Sequence, residues 1–314
     1  MSSQKSVLAF CALNMGLTML HTAFSFYYVK VFLNQYQIKE SWFHFAQILY
    51  MVWNAVNDPL FAILQDNTNF ILTRTRREGI LYTGPIFALS FLIPWFQFGD
   101  SPWAVGLHLI ISLFLYDTMF TFIGLLSCCL FTELSSDPFD RLKLTRYSQI
   151  TSLIGVQCIL FLEYTSSSLQ NFYAFQLATV CLAILCCVLT NYAGHHAHTQ
   201  YDVQRKAAKE CVTSMASEKS NGSQKESFFR KMVQLFTERN FIAFVSTDFF
   251  QEFHLAFWGG FTAILCDYLV PTDHVPASVR SFFYGMTGTC GGVSYDQLDD
   301  DTVSVHCNNK TSTG

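Results

Sequence analysis

The chain has 314 residues, 51% of them from the set AVILMFWYC and only 13% charged, with a formal net charge of −4. Soluble domains run nearer a quarter charged, and apolar runs of about 20 residues mark transmembrane helices rather than a soluble core. These numbers exclude an ordinary soluble domain, and no nucleic-acid partner is expected.

The first apolar run, 7–33, is too long for a signal-peptide core and reads as a span. It carries Asn14, Thr18 and His21. The second, 41–65, contains Trp53-Asn54-Ala55-Val56-Asn57-Asp58-Pro59. A carboxylate in the hydrocarbon costs roughly 3 kcal/mol, so an intramembrane acid is a functional-site hypothesis by default. On a helix, Asn54 and Asp58 lie about 40° apart, with Asn57 about 60° from Asn54 on the other side, so the three form one polar stripe. Pro59 has no N–H and leaves the Ala55 carbonyl without its helical partner. One carboxylate, two amide oxygens and a freed carbonyl suit Na⁺ or a proton-carrying Asp. The competing reading is interhelical hydrogen bonding by the amides, with Asp58 held neutral.

Further spans are read at 80–98, 103–131, 147–167, 171–192 and 240–269, with a short stretch at 279–290 that can begin an eighth. All are expected to be helices, since backbone groups in lipid must be satisfied internally and nothing alternates like a barrel strand. In the fourth, Asp117 follows Tyr116, with Thr121 one turn on; a site acid and a structurally paired acid both remain open. In the seventh, Asp248 and Glu252 share a face at i,i+4, with Gln251 and His254 nearby among phenylalanines. Such a pair in low dielectric can share a proton and titrate as a unit. The alternative is that Asp248 is solvated at the interface.

Most Lys and Arg fall on one side: Arg74, Arg76 and Arg77 after the second span, Arg141, Lys143 and Arg146 after the fourth, and a longer basic stretch after the sixth. The positive-inside rule therefore places the N-terminus and the 193–239 segment in the cytoplasm. The layout is a six-span bundle over 1–192, a cytoplasmic linker at 193–239, the start of a second bundle at 240–290, and a polar tail at 291–314. The linker holds an amphipathic stretch, 227–236, that either lies on the membrane surface or simply leads into the next span. A bundle that stops one span beyond its linker predicts an incomplete chain. His195, His196 and His198 lack partners at ligand spacing and read as an interfacial cluster, not a metal site. Asn309-Lys310-Thr311 matches a glycosylation acceptor. No nucleotide loop, zincin motif or nucleophile elbow is present, so no enzyme activity and no cofactor beyond a coupling Na⁺ or H⁺ is expected.

The stretch Asn54-Ala55-Val56-Asn57-Asp58-Pro59, followed by Asp66 and the arginines at 74, 76 and 77, resembles the glycoside–cation symporters of the major facilitator superfamily. With Leu115-Tyr116-Asp117, Phe244 to Asp248, and Phe253-His254, the resemblance to the animal transmembrane protein 180 family within that superfamily runs from about residue 10 to 270. It implies an all-α major facilitator-like bundle: an N-terminal six-helix half, helix seven and part of helix eight. It implies that Asn54, Asn57 and Asp58 match cation-site positions and that Asp117 matches an acid coupling cation to sugar. Asp66, Arg74, Arg76 and Arg77 would match the cytoplasmic gating loop. The sequence departs from the symporters at Asn54, where they carry an acid, at Gln149, where they carry an arginine, and at Ala62, where they carry glycine; the first span has no acid. The implied function is cation- or proton-coupled uptake of an unknown small solute, sugars included. The alternatives are a non-transporting membrane protein that kept the fold and acts by interaction, or an inactive truncated isoform.

Overall fold

A computed structural model describes residues 4–66, 76–134, 137–166, 169–197 and most of 237–257, without the side chains of Asp58, Pro59 and 62–66. The described residues fall into two units, one containing 4–197 and the other 237–257. Every regular element among them is helical.

In the first unit, α1 is Gln4–Lys30, extended by a π-helical turn Val31–Gln35. It is followed by α2 (Glu40–Asp66), α3 (Arg76–Leu92, closed by a 3-10 turn Ile93–Trp95) and α4 (Pro102–Leu134). Then come α5 (Pro138–Val156), α6 (Cys158–Ser166) and α7 (Phe172–His196). Helices thus occupy the six stretches expected as spans, the fifth as two helices broken at Gln157. Among the described residues, α1 with its π turn, α4 and α7 are apolar and long enough to cross a membrane by composition alone.

One expectation about loops is corrected. The basic segment with Arg141, Lys143 and Arg146 is helical, because α5 starts at Pro138, nine residues before the expected span. Proline at the first helical position costs no hydrogen bond and pre-sets φ, and Asp137 precedes it in an extended conformation.

The principal packings are α1 on α7, α5 and α4; α3 on α7 and α4; and α2 on α4. Exchanging the first three spans for the second three turns α2·α4 into α5·α1 and α3·α4 into α7·α1, and leaves α1·α4 and α3·α7 in place. The bundle therefore has the contact pattern of two three-helix repeats. In lipid there is little hydrophobic drive between helices, so close packing of small residues holds them together. A Cβ on Gly84 of α3 would stand 2.6 Å from Thr190 Cβ of α7, and one on Gly155 of α5 would stand 3.0 Å from the Met15 carbonyl of α1. The outer surface is apolar, as lipid requires: Leu89, Ile184 and Val188 are each about 60% exposed.

The C-terminal end of α3 shows how a buried helix terminus is satisfied. Three successive carbonyls accept from three different elements: Ile93 O from His108 Nε2 of α4 (2.9 Å), Pro94 O from the Tyr36 hydroxyl (3.1 Å), and Trp95 O from Gln176 Nε2 of α7 (2.7 Å). At the opposite end, Arg77 donates to Gly194 O (3.1 Å) and His195 O (3.0 Å), capping the last turn of α7.

In the second unit, residues 239–243 and 245–251 are helical, with Ile242, Val245, Phe249, Phe250, Phe253 and Phe257 exposed. The expected surface stretch 227–236, the eighth-span stretch 279–290, the tail 291–314 and the sequon at Asn309 lie outside the described residues.

Candidate functional site

The parallel helices α2 and α4 meet along one stripe of each. On α2 the stripe is Ala46, Tyr50, Trp53, Asn57 and Phe61, spaced three or four apart. Trp53 stacks on Phe114 at 5.2 Å and donates its indole N–H to Thr118 Oγ1 at 3.2 Å. Phe61 meets Phe122 edge-on at 5.5 Å. Between these aromatic pairs sits the polar centre. Asn57 Nδ2 donates to Asp117 Oδ2 (2.9 Å) and lies 3.1 Å from Thr121 Oγ1, while the Tyr50 hydroxyl donates to Asp117 Oδ1 (3.2 Å).

Asn57 is 0% exposed and Asp117 5%, midway along α4. An ionised carboxylate only accepts, so it fixes the Asn57 amide with its NH₂ toward Asp117. The amide oxygen then faces the other way, and among the described residues nothing donates to Asn57 Oδ1. The centre thus gathers a carboxylate, a phenol and a threonine hydroxyl, hard oxygens of the kind that bind Na⁺ or share a proton, with the amide oxygen turned away from them. No group of three or more His, Cys, Asp or Glu with metal-site spacing occurs among the described residues.

Adjacent residues of α4 face different helices. Asp117 turns to α2, whereas Tyr116 stacks on Phe24 of α1 at 3.7 Å and places its hydroxyl 3.4 Å from His21 Nδ1. His21 is exposed, its ring stacked on Phe120 at 4.3 Å. Two turns earlier on much the same face of α1, Asn14 Nδ2 reaches Ser148 Oγ (2.8 Å), the Ser148 carbonyl (3.1 Å) and Ser152 Oγ (2.6 Å), and Thr18 also contacts Ser152 (3.3 Å). Separate polar contacts thus join α1 to α5, α1 to α4 and α4 to α2.

Of the expected site residues, the structure brings Asn57 and Asp117 together. Asn54 is exposed and does not share this centre. The stripe read on α2 is split by its packing, because the face that meets α4 is centred on Asn57. The side chains of Asp58 and Asp66, and Arg74 as a whole, lie outside the described residues. Arg76 and Arg77, expected in a loop, open α3: Arg76 Nε is 3.4 Å from Glu133 Oε1 of α4, and Arg77 caps α7. In the second unit Asp248 is half-buried and His254 exposed, while Glu252 lies outside the described residues. Of the histidine cluster, His195 is exposed and His196 half-buried; His198 lies outside.

Several polar residues of the bundle escaped the sequence reading. Tyr50 lies seven residues before Asn57, and Trp53 four before it, so helical periodicity carried that signal. Glu163 of α6 accepts from the buried Tyr27 hydroxyl at 3.0 Å, a further acid within the expected spans. Its only sequence signal was an acid inside an apolar run.

A family model described as MFS/sugar transport protein matches residues 9–293. Transmembrane protein 180 of Gallus gallus is 26% identical over 294 residues, covering 88% of this chain and 56% of that protein. Transmembrane protein 180 of Mus musculus is 28% identical over 297 residues, covering 86% of this chain and 55% of that protein. The chain spans about half the length of the curated relatives it matches.

Proposed function

The chain belongs to the MFS/sugar transport protein family as a multi-pass, all-α membrane protein, and from that premise we propose that it carries the cation- or proton-binding half of a solute symporter. The observation that supports this most is the buried Asp117 carboxylate, held by Asn57 and Tyr50, with the Asn57 carbonyl oxygen unclaimed among the described residues. A carboxylate at mid-helix is retained against a cost of roughly 3 kcal/mol, and neutralisation by Na⁺ or H⁺ removes most of that cost. Asp117 takes the cation or proton, Thr121 supplies a further oxygen, Asn57 adds its own by turning its amide over when a cation enters, and Asp58 stands one residue beyond Asn57 as the second acid. Asp248, Glu252 and His254 are coupling candidates in the second unit. The solute is small and polar, with sugars the first class to test. The N-terminus is cytoplasmic in this reading, from the arginine-rich segments, the plasma membrane is its site, and Asp66 with Arg74, Arg76 and Arg77 gates the cytoplasmic end.

The second reading is a membrane protein that keeps the fold and acts by interaction. It is favoured by Asn54, uncharged and turned out of the polar centre, and by Asn14, whose amide is bonded to two serines of α5. One experiment separates the two. Melting of the purified chain is followed in NaCl against choline chloride, over a pH series, for the parent and Asp117→Asn. A rise with Na⁺ or with acid that vanishes in Asp117→Asn supports coupling at this centre. Melting indifferent to Na⁺ and to pH in both proteins supports the interaction reading.

A further inference from the structure

The midplane centre leaves one built feature unused. A groove of about 600 Å³ runs along the outer face of the α3–α7 pair. Leu89 and Leu92 of α3 and Ile184 and Val188 of α7 line its apolar length, and Asn191, Tyr192, His195 and His196 line one end. From Val180 to His195 the α7 wall is about 22 Å long at 1.5 Å per residue, more than the thickness of one leaflet's hydrocarbon. Ile184 and Val188 are 59% and 60% exposed, so the groove opens to lipid.

The polar end is ordered. His196 stacks on Tyr192 at 4.4 Å, and its Nδ1 is 3.1 Å from the Tyr192 carbonyl, which fixes the ring. A helix C-terminus ordinarily repels an anion. Here the Arg77 guanidinium covers the last carbonyls of α7, at Gly194 and His195, and offsets the negative end of the helix. His195 stays exposed beside it. This is the end that the basic flanks assign to the cytoplasm, and the cytoplasmic leaflet is the anionic one.

We propose that the α3–α7 groove is a binding site for one anionic phospholipid of the cytoplasmic leaflet, with an acyl chain along Leu89, Ile184 and Val188 and the headgroup at His195, His196 and Arg77. The apolar length takes the chain, and the polar end selects the headgroup by charge. The choice of leaflet rests on the orientation proposed above; the groove and its chemistry do not.

The test uses the full chain in nanodiscs of phosphatidylcholine with a minor fraction of spin-labelled phosphatidylserine or spin-labelled phosphatidylcholine, and reads the immobilised fraction of each probe. One basic contact at a membrane surface is worth about 1 kcal/mol, or about a fivefold preference for the anionic probe. That preference is expected in the parent and in Leu107→Trp, an exposed control on α4 outside the groove. It is expected to disappear in Ile184→Trp, which fills the groove from an exposed position, and to weaken in His195→Gln/His196→Gln. Equal immobilisation of both probes in the parent overturns the proposal. So does a preference that survives both the filling and the histidine variants, or an Ile184→Trp that changes the oligomeric state and not the lipid preference. Orientation is read separately, by labelling His195→Cys in sealed vesicles with an impermeant maleimide. Labelling from the outer side overturns the leaflet assignment while the nanodisc result stands.

Discussion

Asn57 Nδ2 lies 2.9 Å from Asp117 Oδ2, joining α2 to α4 across 60 residues of chain. Both groups are buried, and each restricts the other: the carboxylate sets the orientation of the amide, and the amide holds one carboxylate oxygen. A double-mutant cycle with Asn57→Ala and Asp117→Ala is expected to give a coupling of about 0.6 to 1.7 kcal/mol, the range for interhelical hydrogen bonds in membranes. Denaturant titration of the four proteins measures it. A coupling near zero would mean that the contact does not bind the helices together.

If Na⁺ occupies this centre, it competes with a proton for the same carboxylate. The Na⁺-dependent rise in melting temperature is then largest at high pH and shrinks as the pH falls, because protonation removes the charge the cation needs. A rise that grows with acid instead identifies the proton as the coupling ion. Tyr50→Phe, which removes one donor to Asp117 and nothing else from the stripe, should weaken Na⁺ binding without abolishing it.

Tyr27 is 1% exposed and donates to Glu163 at 3.0 Å. Tyr27→Phe withdraws that donor from an acid within the bundle, at an expected cost of about 1–3 kcal/mol. Adding Glu163→Gln should recover part of the loss, since the neutral amide needs the hydroxyl less. Melting curves of the single and double variants check this, and equal losses that simply add would sink the idea.

The α3–α7 seam depends on the missing side chain at Gly84. Gly84→Val is expected to overpack against Thr190 and cost about 1–3 kcal/mol. Thr190→Ala in the same protein should restore much of it by vacating the contact, which a melting comparison of the three variants tests.

Arg77→Ala exposes the last carbonyls of α7 and removes the charge that offsets its C-terminus. Amide hydrogen exchange at 193–197 is expected to quicken while that of the α7 interior is unchanged. Equal exchange throughout would show that the cap contributes nothing to the order of this end.

The sequence by itself determined the class of protein, the helical segments at the six stretches expected as spans and the residues worth asking about. Those depend on composition and run length, and a bilayer leaves the backbone few alternatives. Periodicity also placed Asn57 and Asp117 on helices at bundle depth. What it did not decide was which face of α2 meets α4. Asn54, Asn57 and Asp58 fit one stripe on an isolated helix, but Trp53 against Phe114 and Phe61 against Phe122 turn Asn57 inward and leave Asn54 exposed. The same holds for Glu163, whose partner stands 136 residues away, and for the basic segment after α4, which Pro138 draws into a helix. Only tertiary structure decided these, because the rotation of a helix in a bundle is chosen by the surfaces of its neighbours, and those come from distant parts of the chain.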